Sequence, residues 1–297
     1  MFTVNFIGQI SLESSPAITE LGLFKSVVLG IVQGLTEFLP ISSTAHIKAV
    51  PVALGWGDPG VSFTAVIQLG SIAAILSYFW KDVVQVVSGM VRAIAQSDYQ
   101  SSDFRIGTGI IIGTLPIVVL GLMMKVLIPD LDNSPIRSMG AIAVASIVMS
   151  LLLALAEQIG TRKRNTEKLC MRDGILMGFA QALALIPGVS RSGSTLTAGL
   201  FMGLERATSA RFSFLLGIPA ITASGLVEMK TLVEEGFGGI GMIPLVGGLI
   251  AAAISSYVAI AWLLRYLQNN NTWVFVWYRL GFGVAILGAL ALGLVNN

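Results

Sequence analysis

The sequence predicts an all-α polytopic membrane protein, and three observations indicate this class. Hydrophobic residues make up 55% of the 297 positions and charged residues only 11%, whereas about a quarter of a soluble domain is charged. Several apolar runs reach the 18 or more residues that a bilayer crossing requires. Two further apolar stretches, 22–54 and 174–204, are each interrupted by a polar island. We therefore interpret residues 1–297 as a single integral membrane domain.

The apolar runs predict the elements in chain order. The first run, 22–39, breaks at Pro40 and resumes to Leu54, and 82–104 is predicted to be an amphipathic surface helix followed by a loop. Uninterrupted spans are predicted at 63–80, 106–128, 136–156, 212–229, 243–264 and 273–294. Residues 1–20 lack the basic start and long apolar core of a cleaved signal peptide, and we expect a short amphipathic segment on the membrane surface there.

The distribution of charge predicts the orientation. Residues 160–173 form the most basic loop, and basic loops mark the cytoplasmic side. This orientation puts 129–135 outside and 203–211 inside. The segment 174–204 must then begin and end inside, so we predict a re-entrant hairpin, which is tolerated in a membrane only when it is buried in protein or lines a watery cavity.

The two halves of the chain resemble each other. Residues of the first island recur 148 positions later: Gln33, Leu35 and Ser42 correspond to Gln181, Leu183 and Ser190. Each half contains one broken segment and three spans, an odd number, so two such repeats have opposite orientations. We predict an inverted-topology repeat, each half being one re-entrant helical hairpin plus three transmembrane helices, with repeat 1 over about 22–158 and repeat 2 over about 172–295. The 22–54 hairpin then enters from the outer face, and the two islands meet near mid-membrane.

The second island, residues 187–195, has the composition of an anion site. Arg191 carries a planar fork suited to phosphate oxygens, and a charge inside a membrane segment indicates a functional site. Hydroxyls and glycine N–H groups surround it, from Gly188, Ser190, Ser192, Gly193 and Thr195. The alternative is a Ser/Gly turn that only caps a helix.

The first island, residues 33–48, offers a nucleophile, a base and a carboxylate. Glu37 follows Gln33 by one helical turn, so both face the same way. His46, the only histidine of the chain, can relay a proton near neutral pH, and the hydroxyls beside it are Ser42, Ser43 and Thr44. The alternatives are a satisfied core histidine, a glutamate bonded to the turn backbone and a glutamine that bonds another helix.

Other features exclude some functions or are weaker candidates. The net charge of +2 is too small to indicate nucleic-acid binding, and the single cysteine, Cys170, excludes an intramolecular disulfide. Glu157, at the end of a span, is expected to be solvated. Tyr278 is expected to belong to an interfacial aromatic belt.

Two motifs carry a resemblance to a known family. The stretch from Gln33-x-x-x-Glu37 through Phe-Leu-Pro-Ile-Ser-Ser-Thr-Ala-His46, together with Pro187-Gly-x-Ser-Arg-Ser-x-x-Thr195, resembles the bacterial undecaprenyl-diphosphatases, the bacitracin-resistance membrane phosphatases. The resemblance covers essentially the whole chain. Gln33 stands where many members have glutamate, which weakens a metal-ligand role for this position, and Ala45 stands where glycine is usual.

The resemblance implies hydrolysis of undecaprenyl diphosphate to undecaprenyl phosphate, the lipid carrier of cell-wall precursors. It implies a divalent cation, Mg²⁺ or Ca²⁺, and a bacterial cytoplasmic (inner) membrane location with the active site open to the outer side. It also implies an inverted-repeat fold with two re-entrant loops. The partners are then the lipid substrate and the bilayer, with a homodimer left open.

Roles for the residues follow as hypotheses. Ser43 is the first candidate nucleophile with His46 as its base, while direct attack by water or by His46 stays open. Glu37, helped by Gln33, holds the cation or positions a water. Arg191 binds the diphosphate, with further contacts from Ser42, Thr44, Gly188, Ser190, Ser192, Gly193 and Thr195. The alternative functions are a prenyl-phosphate transporter or flippase that uses the same site, and a non-catalytic channel.

Overall fold

The computed structural model describes residues 21–57, 60–128, 134–235 and 240–295, so the predicted segment at 1–20 lies outside the described residues. In this part of the chain the structure is helical, without a named strand. The helices are α1 (Leu23–Phe38), α2 (Ser43–Ala53), α3 (Val61–Tyr78), α4 (Trp80–Ala95), α5 (Ser102–Leu127), α6 (Met139–Ile159), α7 (Met171–Ala182), α8 (Arg191–Phe201), α9 (Arg206–Glu235), α10 (Met242–Asn269) and α11 (Trp273–Ala291). Short 3₁₀ turns lie at Pro135–Arg137, Thr166–Lys168 and Leu183–Leu185.

The helices confirm a multi-pass membrane protein. Within the described ranges, α5, α6, α9, α10 and α11 are long and apolar enough to cross a bilayer, and a sixth span is formed if α3 and α4 are counted as one element bent by 65°. The predicted spans thus correspond to α3, α5, α6, α9, α10 and α11. The amphipathic helix predicted at the start of 82–104 is α4, with Val87 and Val91 exposed on one face and Gly89 and Ala93 buried on the other.

Two pairs of shorter helices contain the polar islands at their breaks. In the first pair α1 ends at Phe38 and α2 begins at Ser43, and in the second α7 runs through a 3₁₀ turn into a loop before α8 begins at Arg191. Helices α2 and α8 have 11 residues each, or about 16 Å, about half of the hydrocarbon core. Ser42 (φ 77°) and Ser190 (φ 71°) precede them in the same left-handed conformation, which is uncommon for residues other than glycine.

Close helix contacts hold each pair in place. Helix α1 packs along α10, and α7 packs along α5. A side chain on Gly34 would overlap the α10 backbone at Ala252, and one on Gly178 would overlap the α5 backbone at Gly113. Small residues permit such approach between membrane helices, where dispersion contacts replace the hydrophobic effect. Each pair is therefore held in place by close packing against one long membrane-spanning helix.

Glu157 corrects one expectation. It is buried, with 5% of its surface exposed, whereas the sequence suggested a solvated position at the end of a span. Its carboxylate pairs with Arg206 of α9 and accepts a hydrogen bond from Thr272 Oγ1 at 2.8 Å. The ion pair compensates the burial of the charge and joins α6, α9 and the start of α11.

Candidate active site

The two breaks meet at one cavity of about 800 Å³. Its polar end is lined by residues of both islands: Glu37, Ser42, Ser43, Thr44, Gly188, Ser190 and Arg191. Its other wall is largely apolar and comes from α5, α9 and the 3₁₀ turn after α7, including Ile117, Val118, Leu122, Leu185 and Val227. The expected meeting of the two islands is therefore present in the fold.

Glu37 is the carboxylate that faces the candidate nucleophile. Ser43 Oγ donates a hydrogen bond of 2.6 Å to Glu37 Oε2. Gln33 Nε2 donates to the same oxygen at 3.2 Å and to Gln68 Oε1 of α3 at 3.1 Å. Gln33 thus makes the interhelical hydrogen bond that was its alternative role. Gln68 was missed, although a glutamine inside an apolar run was the available signal.

Arg191 brings a positive charge to the same carboxylate. Its Nη2 lies 3.6 Å from Glu37 Oε1, and the side chain is only 11% exposed. Neither terminal nitrogen has a hydrogen-bond acceptor among the described residues. Gly217 of α9 lies directly against the guanidinium, where any side chain would collide with it. Unsatisfied guanidinium donors at a cavity are suited to the oxygens of a phosphate.

Two helix N-termini point to the cavity beside Arg191. Helix α2 begins at Ser43 and α8 begins at Arg191, and both residues line the cavity. The first backbone N–H groups of a helix have no intrahelical acceptor, and they carry the positive end of the helix dipole. At α8, Ser190 Oγ satisfies the N–H of Gly193 and leaves the preceding ones available. The first residues of both helices thus lie at one cavity, an arrangement that suits an anion.

Three predicted substrate-binding residues support the site instead of lining the cavity. Ser192 Oγ donates to the carbonyl of Leu39 at 3.1 Å and so ties α8 to the first break. Thr195 Oγ1 donates to the carbonyl of Arg191 at 2.8 Å. Gly193 packs against a buried arginine, Arg279. Ser192 and Thr195, through their side chains, and Gly193, through its close packing, hold the residues that line the cavity in position.

The expected pairing of Ser43 with His46 is not found. The His46 ring is buried, with Nδ1 2.7 Å from the carbonyl oxygen of Ser42 and Nε2 2.7 Å from the hydroxyl of Tyr278. It stacks on Phe282 at a centroid distance of 4.3 Å. With the Nδ1 proton donated to the carbonyl, Nε2 accepts from Tyr278. Both ring nitrogens of His46 therefore have partners in this structure, as the alternative interpretation expected, and Tyr278, which is half exposed, supplies one of them.

Comparison with known proteins identifies the family. The family model described as "Bacitracin resistance protein BacA" matches residues 26–285. The chain belongs to the BacA family. It is 64% identical over 280 residues to the undecaprenyl-diphosphatase of Trichormus variabilis, covering 94% of this chain and 88% of that protein. The corresponding protein of Trichodesmium erythraeum is 61% identical over 278 residues (94% and 89%), and that of Gloeobacter violaceus is 57% identical over 279 residues (94% and 95%).

In this BacA protein a buried arginine outside both islands holds the breaks together. Arg279 of α11 is 1% exposed. Its Nη1 donates to the carbonyl of Pro40 at 3.0 Å, and its Nη2 donates to the carbonyls of Gly188 and Val189 at 2.9 Å each. Sequence reasoning missed this role, although a charged residue within the last apolar run was the signal.

The donor set fits only one kind of metal site. Among the described residues, no three or more His, Cys, Asp or Glu side chains cluster as metal ligands, so a closed protein cage such as a zinc site does not fit. Glu37 and Glu228 line the same cavity. Mg²⁺ is commonly held by one or two carboxylates together with substrate phosphates. The cavity therefore fits a divalent cation that binds with its substrate.

Proposed function

We propose that this BacA protein hydrolyses undecaprenyl diphosphate to undecaprenyl phosphate and inorganic phosphate. One observation carries the proposal: the Ser43–Glu37 pair meets Arg191 at the polar end of a cavity whose other wall is apolar, and the terminal nitrogens of Arg191 lack hydrogen-bond acceptors in the described part of the chain. This arrangement suits a lipid with a diphosphate head. The relatives named undecaprenyl-diphosphatase support the same reaction.

The apolar wall accounts for the prenyl tail. It reaches the outer surface of the helix bundle, where Leu122 is 62% exposed and Val227 is 54% exposed. A cavity of about 800 Å³ is the size of a typical small-ligand site, so it holds the head group and the start of the tail. The remaining tail leaves between α5 and α9 and lies in the bilayer.

The residues of the polar end divide the work of phosphoryl transfer. Arg191 and the N-termini of α2 and α8 bind the phosphate oxygens and stabilise the charge that develops during transfer. Ser43 Oγ attacks the terminal phosphorus while its proton passes to Glu37 Oε2, the bond to the bridging oxygen breaks, and undecaprenyl phosphate leaves. Water then attacks the phosphorus of the phosphoserine and the bond from phosphorus to Ser43 Oγ breaks. Glu37 returns to Ser43 Oγ the proton that it accepted in the first step, and phosphate leaves with the protons of the water. Direct attack by a water held by Glu37 is the competing route.

Two groups assist this chemistry without contacting Ser43. His46 fixes the carbonyl of Ser42 and hence the first turn of α2. A divalent cation, Mg²⁺ or Ca²⁺, would be held by Glu37 and would neutralise charge on the phosphates. Gln33 is a weaker candidate ligand, because its amide turns the nitrogen, which does not bind a hard cation, towards Glu37 and Gln68.

The fold supports an inverted repeat as the frame of this site. Both broken pairs have a left-handed serine at the break followed by a helix of 11 residues, and the packing of α1 on α10 is matched by that of α7 on α5. With the basic loop at 160–173 inside, the α7–α8 hairpin re-enters from the cytoplasm and the α1–α2 hairpin from the opposite side. The cavity then opens to the outer side of the bacterial cytoplasmic membrane.

Phosphate release from a prenyl diphosphate by detergent-purified protein tests the function. Wild type is compared with Ser43→Ala, Glu37→Ala, Arg191→Ala and an exposed control, Arg265→Ala. Release by wild type and by the control, with strong loss in the other variants, is expected. A wild type that binds the lipid but releases no phosphate with either cation would overturn the phosphatase and favour a lipid carrier.

A further inference from the structure

We propose that Glu228 of α9 is the second carboxylate ligand of the divalent cation, an inference that rests on the proposed phosphatase function. Glu228 lies within the membrane-spanning part of α9 and lines the cavity together with Glu37 and Arg191. Glu228 is two residues from the end of this span, where a carboxylate costs less than at mid-membrane, so its position on the cavity wall is the main indication of a functional role. Neither of the two sequence motifs includes it.

The hydrogen bonds leave Glu228 the more available carboxylate. Glu37 Oε2 accepts from Ser43 and Gln33, and its Oε1 faces Arg191. Within the described ranges, Glu228 accepts one hydrogen bond, from Ser224 Oγ at 3.2 Å one turn earlier in the same helix. Hard cations such as Mg²⁺ and Ca²⁺ need oxygen ligands. Glu228 therefore offers carboxylate oxygen that the protein itself uses little.

The charge balance of the cavity calls for a cation once substrate binds. The lining contains two carboxylates, Glu37 and Glu228, and two guanidinium groups, Arg191 and Arg137. A diphosphate adds several negative charges to this balanced set, and a divalent cation between the phosphates and the carboxylates offsets them.

Arg191 gives an independent indication of where the phosphate lies. Its two terminal nitrogens are buried and lack acceptors among the described residues, so they mark the anion position at the break before α8. Helix α9 passes this position, since its Gly217 lies against the Arg191 guanidinium. Glu228 follows on the same helix and still lines the cavity. Because Glu228 lies eleven residues beyond Gly217, about 16 Å of helix rise, a cation that it holds would approach the diphosphate from a different direction than Arg191 does.

Binding of Mn²⁺ to the full-length purified protein tests this assignment. The probe is Mn²⁺ with methylenediphosphonate, a diphosphate analogue that cannot be hydrolysed, and free Mn²⁺ is measured by electron paramagnetic resonance. Glu228→Gln is compared with Glu234→Gln, a control on the same helix whose carboxylate is exposed and pairs with Lys230. Glu228→Gln is expected to weaken Mn²⁺ binding about tenfold or more, the scale seen when groups that support a metal are removed, and Glu234→Gln to leave it unchanged.

Three further results decide the proposal. Glu228→Asp, which keeps the carboxylate, is expected to restore part of the binding, and it replaces the glutamine variant if that variant does not fold. Mn²⁺ affinity in Glu228→Gln equal to that of wild type would overturn the assignment even if wild type releases phosphate. Wild type that binds Mn²⁺ through Glu228 but releases no phosphate would support the cation site and overturn only the phosphatase function.

Discussion

Replacement of Arg279 by methionine tests whether this residue holds the two breaks in register. Methionine fills similar apolar space but leaves the carbonyls of Pro40, Gly188 and Val189 without their donors. Interhelical hydrogen bonds in membrane proteins contribute about 0.6 to 1.7 kcal/mol each, so we expect a loss of about 2 to 5 kcal/mol for the three. A shift of about 1 Å between the breaks would slow catalysis about a hundredfold, since reacting groups must be positioned to that precision.

The assay combines phosphate release with thermal unfolding in detergent. Arg279→Met is expected to lower both the rate and the melting temperature. Arg279→Lys can donate to some of the three carbonyls, so its rate and its melting temperature are expected to lie between those of Arg279→Met and wild type. Arg265→Met, at an exposed arginine of α10, serves as the matched control. A methionine variant with the rate and melting temperature of wild type would refute the assigned role of Arg279.

Three other predictions test helix packing, the role of His46 and the cation. Gly178→Ala should destabilise the protein by about 1–3 kcal/mol through overpacking, because the new methyl group would overlap Gly113. Gly281→Ala, the control, has open space at its Cβ and should not lower the melting temperature. Equal melting temperatures of the two variants would contradict this packing. Tyr278→Phe removes the hydroxyl that bonds His46 Nε2 and should slow phosphate release less than His46→Ala does, whereas an equal loss would place Tyr278 in the chemistry. EDTA should abolish phosphate release and Mg²⁺ or Ca²⁺ should restore it, and full activity in EDTA would exclude a cation requirement.

The spans were predictable because a bilayer imposes a length and an apolar composition on each crossing. The same reasoning located both breaks, because Pro40 and the Ser-Arg-Ser run interrupt apolar stretches that would otherwise be predicted as continuous helices. The contact of Ser43 with Glu37 was also within reach, because the two residues are six positions apart across a single turn. Local sequence therefore determines much of the polar end of the cavity.

Partners that come from distant helices could not be predicted. Tyr278 lies 232 positions from His46, and no periodicity connects the two, so the histidine was paired with the nearest hydroxyls instead. Arg279 and Glu228 lie in apolar runs, which were interpreted only as membrane spans, so the two charged residues were not assigned to the site. Glu157 was expected to be solvated because it lies at the end of a span. Its partner, Arg206, is 49 positions away and comes close only in the folded protein. In each case the partner is determined by tertiary packing, which the sequence pattern does not reveal.

The most direct test of the central claim is a double-mutant cycle between the two islands, measured as phosphate release from a prenyl diphosphate. If Ser43 and Arg191 act on the same phosphoryl group, the variant that combines Ser43→Ala with Arg191→Gln should be little slower than the slower single variant, because groups that act as a unit are not additive. If the two losses multiply, or if Ser43→Ala keeps the wild-type rate, the two islands do not form the single catalytic site that we propose.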